Sequence, residues 1–133
     1  MLEPLKYILD NSKVILGSAS PRRKEIMETL GVAAIVMPSG VEENLDKGDY
    51  VGRPFDYSVD TAELKADDVF RKAKDQFKDT NLVVVGSDTV VTHQGVIYEK
   101  PKDEDDAYRI LSTLSGKGLF NSFLYFQRKL KPA

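Results

Sequence analysis

Two short stretches of this 133-residue chain place chemically useful side chains where a phosphorylated ligand could be held. The first is Val14-Ile15-Leu16-Gly17-Ser18-Ala19-Ser20-Pro21-Arg22-Arg23. An apolar strand runs into a small-residue turn and then into a helix, with Ser20 suited to the N-cap, Pro21 to the first helical position, and Ile26, Met27 and Leu30 to an inner face. Arginines in the first turn oppose the helix dipole, which makes sense where an anion is expected beside free backbone N–H groups and guanidinium forks. The alternative is a surface helix whose arginines face water. The second stretch is Val85-Gly86-Ser87-Asp88-Thr89, which follows the apolar run Leu82–Val85. At the carboxyl end of a strand in an open α/β sheet, the Asp88 carboxylate is suited to hold a metal or take a proton from water. Its alternative is a turn aspartate bonding its own backbone.

Other residues could complete such a site. Glu42 and Glu43 stand early in a polar stretch, where one of them could join Asp88 on a divalent cation or both could simply be solvated. Lys65 lies beside an apolar helical stripe and is placed either to snorkel or to reach a phosphate. Lys100 precedes Pro101, which keeps its backbone extended and aims it consistently. His93 falls in a presumed hairpin turn and reads as a surface residue. Together these are the parts that triphosphate cleavage requires: cations, metal-binding carboxylates and a base for water.

The elements that must position them read as an α/β layered domain. Val14 to Ser18 is expected as a buried strand, Pro21 to Leu30 as a helix stopped by Gly31, and Val32 to Met37 as a second buried strand. Residues 42–56 read as a long loop. The repeat Val59, Ala62, Ala66, Val69, Ala73, widened by Phe70 and Phe77, predicts a long helix. Leu82–Val85 predicts a strand covered on both faces. Val90–Thr92 and Val96–Tyr98 predict a hairpin around His93-Gln94-Gly95. Asp103 to Leu114 predicts a helix with Ala107, Ile110, Leu111 and Leu114 inward.

Composition narrows the classes. The length suits one domain, and a net charge of −2 with 30% charged residues gives no global field for a nucleic acid polymer or an anionic membrane. The absence of cysteine excludes disulfides, thiolate zinc sites and a cysteine nucleophile, and a single histidine excludes a multi-histidine metal centre. No apolar run approaches the roughly 18 residues of a membrane span. With Glu3 early and no basic segment before an apolar core, the expectation is a soluble cytoplasmic protein without a secretory signal.

Ser18-Ala19-Ser20-Pro21-Arg22-Arg23, Gly86-Ser87-Asp88-Thr89-Val90-Val91, Glu99-Lys100-Pro101 and Asp105-Asp106-Ala107-Tyr108-Arg109-Ile110-Leu111 followed by Leu114-Ser115-Gly116 resemble, in order and spacing, the signature segments of the Maf (septum-formation-like) nucleotide pyrophosphatases. The segments around Glu99 and Asp106 are especially similar to the Maf-like domain of animal acetylserotonin methyltransferase-like proteins. The resemblance covers residues 13 to 117. It implies a mixed α/β fold with flanking helices and a central cleft, related to inosine triphosphate pyrophosphatases. It also implies metal-dependent hydrolysis of a nucleoside triphosphate, of dTTP/UTP type, to the monophosphate and pyrophosphate, with Mg²⁺ or Mn²⁺.

Carried over by position, Asp88 is the proton acceptor and a metal neighbour, Glu43 supports the metal, and Ser18, Arg22, Arg23, Lys65 and Lys100 hold phosphates. Arg22 and Thr89 match positions linked to substrate choice. A homodimer is what the resemblance suggests. After Lys117 the family pattern is no longer followed, so residues 1–117 read as an incomplete Maf-like domain with its C-terminal portion missing and residues 118–133 as an unrelated apolar and basic tail. That departure keeps a second expectation open, a truncated, non-catalytic nucleotide-binding or interaction protein. Phe120 and the apolar run Phe123–Phe126 are expected to pair with an exposed sheet edge.

Overall fold

The computed structural model describes residues 2–117 in full and the backbone of residues 120–130. Residues 118–119 and 131–133 of the expected tail lie outside the described residues. A mixed five-stranded sheet forms the centre. Its strands are β1 (Lys13–Leu16), β2 (Ala34–Val36), β3 (Leu82–His93), β4 (Val96–Tyr98) and β5 (Phe120–Leu130), and its helices are α1 (Lys6–Asp10), α2 (Pro21–Thr29), α3 (Pro54–Gln76) and α4 (Glu104–Leu114).

Strand alternation sorts the core into two layers. Ile15, Leu82 and Val84 point to one face, where Ala66, Val69 and Ala73 of α3 cover them. Val14, Leu16 and Val83 point to the other and pack on Met27 and Val32, with Leu9 of α1 and Leu30 beside them. The α3 stripe therefore does what its spacing predicts. Helix α1 has no counterpart in the expectations: its five residues are too few to show a period.

Strand β3 is the organising element and corrects the sequence reading. Leu82–Val85 and Val90–Thr92 are parts of one continuous strand of 12 residues, so Asp88 sits inside a strand and not in a turn beyond one. Gly86 permits this. A Cβ there would lie 2.4 Å from the Ala62 carbonyl oxygen and 2.8 Å from the Ala66 Cβ, so the glycine marks the crossing point of α3. β5 runs antiparallel along β3 from Val83 to Thr92. β1, parallel to Leu82–Val85, and β4, antiparallel to Val91–His93, must then share the opposite edge. Between them, Gly86 to Val90 face a gap in the ladder among the described residues.

Four further expectations need amendment. β2 is a short edge strand, not a buried one: it pairs only with β1 among the described residues, and Ile35 and Val36 stay 38% and 39% exposed. The long loop contains a 3-10 turn at Lys47–Tyr50 and ends at Pro54, where α3 begins. His93 is the last β3 residue, paired with Val96 across a two-residue turn at Gln94-Gly95, both with positive φ. The apolar stripe of α4 is only partly covered: Ala107, Ile110 and Leu114 are half-buried, Leu111 is 67% exposed, and no α4 residue is fully buried.

Candidate active site

The gap in the β3 ladder is where the chemistry-bearing residues meet. β1 ends at Leu16, and the Gly17 N–H makes the last contact with β3, donating to the Val85 carbonyl at 2.9 Å. The chain then turns through Ser18–Ser20 into α2, whose N-cap is Ser20, its side chain accepting from the Arg23 N–H. The Arg23 guanidinium enters the gap. It donates to the Ser18 hydroxyl at 3.0 Å, to the Ser87 carbonyl at 3.1 Å and to the Thr89 hydroxyl at 2.9 Å. A backbone acceptor left without a strand partner is thereby satisfied by a side chain. The two expected phosphate arginines thus differ. Arg23 is half-buried and clamps α2 to β3, whereas Arg22 is exposed on the same turn and lines neither lobe of the cleft described below. Ser18 is buried, and its oxygen accepts from both Arg23 and the Ser20 N–H, which leaves its proton to donate.

From the α3 face of the same strand, Asp88 meets Lys65. The Lys65 ammonium lies 3.0 Å from Asp88 Oδ1 and 2.6 Å from Glu43 Oε1, so two carboxylates from distant segments converge on one cation. Asp88 is 7% exposed, and the Lys65 side chain 14%. The segment carrying Glu43 is tied to α3 by Asp68, whose carboxylate accepts from the Ser39 hydroxyl and the Gly40 N–H at 3.0 Å and from Lys72 at 2.9 Å. These bonds, the Lys72 ammonium foremost, hold the Asp68 carboxyl below its ordinary range. Glu42 is exposed and takes no part in the cluster.

Sequence reasoning did not single out a third group. Tyr57 is buried, and its hydroxyl donates to Glu99 Oε1 at 3.4 Å, while Lys47 pairs with Glu99 Oε2 at 2.7 Å. Burial first, and then the charges of Glu99, Glu43 and Asp88, push the Tyr57 phenol up to about 12. The ring of Tyr50 meets that of Tyr57 edge-on at 5.3 Å. A signal existed in the sequence: Tyr57, Thr61 and Lys65 recur every four residues and so share one face of α3.

These groups line a cleft of two adjoining lobes. One, of about 340 Å³, is walled by Arg23, Glu43, Tyr57, Lys65, Asp88, Thr89, Glu99 and Lys100. The other, of about 440 Å³, is walled by Gly17 to Ser20, Pro38 and Ser39, with Arg23, Glu43, Lys65 and Lys100 in common. Lys100 follows β4, and the turn beyond it is fixed by Asp106, which accepts from the Lys102 N–H at 3.0 Å. Of the expected residues, then, Ser18, Arg23, Glu43, Lys65, Asp88, Thr89 and Lys100 are brought together and Arg22 is not.

No group of three or more metal-ligating side chains is found among the described residues. The donor chemistry nevertheless fits a hard divalent cation. Glu43 and Asp88 already aim oxygens at one positive charge, and Mg²⁺ commonly takes one or two carboxylates with phosphate oxygens and water.

Comparison with known proteins bears on what this cleft does. The family described as Maf-like protein matches residues 13–121. The chain is 44% identical over 117 residues to the human "Probable bifunctional dTTP/UTP pyrophosphatase/methyltransferase protein", covering 88% of this chain and 19% of that protein. It is 38% identical over 109 residues to a "Nucleoside triphosphate pyrophosphatase" of Dictyostelium discoideum, covering 82% of this chain and 50% of the relative. It is 42% identical over 105 residues to a "dTTP/UTP pyrophosphatase" of Geotalea uraniireducens, covering 79% and 50%. The chain thus spans half the length of these single-activity relatives and about a fifth of the human one.

Proposed function

This chain belongs to the Maf-like family, and from that premise we propose that it hydrolyses a nucleoside triphosphate of dTTP/UTP type to the monophosphate and pyrophosphate. The observation that carries the reading is the convergence of Asp88, Glu43 and Lys65 in a cleft also lined by Arg23 and Lys100. The base preference rests on the names of the relatives.

In this reading the triphosphate lies across the two lobes. Lys100 and the unused guanidinium donors of Arg23 bind its phosphate oxygens, and the Ser18 hydroxyl donates a further hydrogen bond. Exposed Arg22 meets the part of the nucleotide that extends beyond the cleft. Asp88 orients a water and accepts its proton as the phosphoanhydride bond between the α- and β-phosphates breaks, with pyrophosphate as the leaving group. Thr89 is placed by Arg23 at the rim, where it bears on substrate choice. Glu43 and Asp88 would hold Mg²⁺ or Mn²⁺, which supplies charge neutralisation to the leaving phosphates when bound. Among the described residues no helix is long and apolar enough to cross a membrane. A cytoplasmic homodimer acting on a soluble nucleotide completes the proposal.

The test is pyrophosphate release by the purified chain with Mg²⁺ or Mn²⁺ across dTTP, UTP, CTP and GTP, with Asp88→Asn in parallel. The expected result is release from dTTP and UTP that falls at least about a hundredfold in Asp88→Asn, the scale of a lost general base. Nucleotide-dependent thermal stabilisation without any release would replace the enzyme by a nucleotide-binding protein.

A further inference from the structure

The position of Lys65 points to a role beyond binding phosphate. Its ammonium stands between Glu43 Oε1 and Asp88 Oδ1, the two oxygens that the proposed function assigns to a divalent cation. A hydrated metal and an ammonium cannot both occupy the space between them. The Lys65 side chain, only 14% exposed, also borders open space in the cleft. Its stem rises from α3, its neighbour Ala66 is packed against Gly86, and its tip borders both lobes of the cleft. A lysine side chain has four rotatable bonds, so its tip can move while its base stays fixed.

We infer that Lys65 is a displaceable counter-ion: it neutralises Glu43 and Asp88 in the free chain and gives way when a divalent cation enters. This rests on the reading of Glu43 and Asp88 as the metal-holding pair. The charges make the exchange workable. With Lys65 in place, two carboxylates share one positive charge and the pair keeps a net negative charge that attracts a cation. With a divalent ion in place, the carboxylates are neutralised and the ammonium is released towards the cleft, where an anionic substrate would retain it. Metal entry and phosphate capture are then coupled through one side chain, and the buried Asp88 carboxylate is not left uncompensated in either state.

The probe is Mn²⁺ alone, titrated into the full chain without nucleotide and followed by electron paramagnetic resonance of the free ion. Removing the competitor should tighten binding, by about tenfold in Lys65→Met, as expected for loss of a like charge close to the metal. Lys65→Arg keeps the charge and should bind no tighter than the wild type. The gain should disappear in the double variant Lys65→Met with Glu43→Gln. Mn²⁺ binding in Lys65→Met that equals or falls below the wild type overturns the inference.

A second readout needs no variant. Acetylation of Lys65 by an amine-reactive ester, quantified by mass spectrometry, should increase when Mg²⁺ is added to the wild type, and an unchanged or lower yield would also overturn it. Pyrophosphate release with no Mn²⁺ gain removes this inference and leaves the proposed function standing. The Mn²⁺ gain without pyrophosphate release does the reverse.

Discussion

Gly86 shows how much a single position decides. In sequence, the glycine after Leu82–Val85 reads as the end of a strand and the start of a turn. In the structure it is the place where a strand continues because a helix passes close above it, the Ala62 carbonyl oxygen being 2.4 Å from where a Cβ would stand. The local pattern could not reveal this, because the cause lies more than 20 residues away on α3. Gly86→Ala should therefore destabilise the chain by about 1–3 kcal/mol, the usual cost of overpacking, and lower the melting temperature by several degrees. An unchanged melt would mean that α3 can move off β3. The same close packing governs Tyr57. Its phenol, raised from 10.0 to about 12 by burial and three nearby carboxylates, keeps its proton in the folded chain at pH values where the unfolded chain has lost it. Stability from this group is thus full below about pH 10 and is lost as pH rises towards 12. Ultraviolet titration at the phenolate band should show Tyr57 ionising late, beside Tyr50, whose phenol its bond to Asp60 also raises, and Tyr57→Phe should diminish that late step.

At the scale of elements, the helices were the more legible part, and the site depends on what ties their ends. The α3 stripe announced itself by a period sustained over 15 residues. The α4 stripe was equally periodic, and the expectation that it faces inward holds in part: Ala107, Ile110 and Leu114 are half-buried and Leu111 is exposed, because periodicity reports a two-sided helix and says nothing about how much of one side is covered. The contact that fixes Glu43 was invisible for another reason: Asp68 reaches Ser39 and Gly40 across almost 30 residues of sequence. Its carboxyl is held below the ordinary value of 3.8, first by Lys72 and then by the Gly40 N–H and the Ser39 hydroxyl. A depressed folded value means that this stabilisation is present above the ordinary carboxylate range and is lost as pH falls through it. Asp106, held low by the Lys102 N–H and by Arg109, adds to the same acid limb at the turn that follows Lys100. Melting curves between pH 3 and 6 should accordingly lose stability more steeply in the wild type than in Asp68→Asn. Parallel slopes would remove Asp68 as an anchor of the segment that carries Glu43.

For the whole molecule, the decisive feature is one strand serving two partners on one edge. Most of the residues that meet in the cleft were readable from their spacing and from the family resemblance, Tyr57 being the exception. The sharing of β3 was not, since pairing across a sheet leaves little trace in a single chain's local pattern. β1 and β4 take the two ends of that edge, β5 takes the other edge throughout, and Arg23 bridges the opening. This arrangement makes an observable pattern. Along a strand, successive N–H and C=O groups point to opposite edges. The carbonyls of Val85 and Ser87 face the β1 side, accepting from Gly17 and Arg23, so the amides of Ser87 and Thr89 face the gap as well. Those of Gly86, Asp88 and Val90 face β5. Hydrogen exchange resolved by residue should therefore alternate through this segment, fast at Ser87 and Thr89 and slow at Gly86, Asp88 and Val90. Uniform protection across all five would mean that another strand or a ligand fills the gap. Uniformly fast exchange would mean that β5 leaves this edge in solution. The alternating pattern places the open edge of the sheet beside Asp88, which is where the attacking water of the proposed reaction would need room.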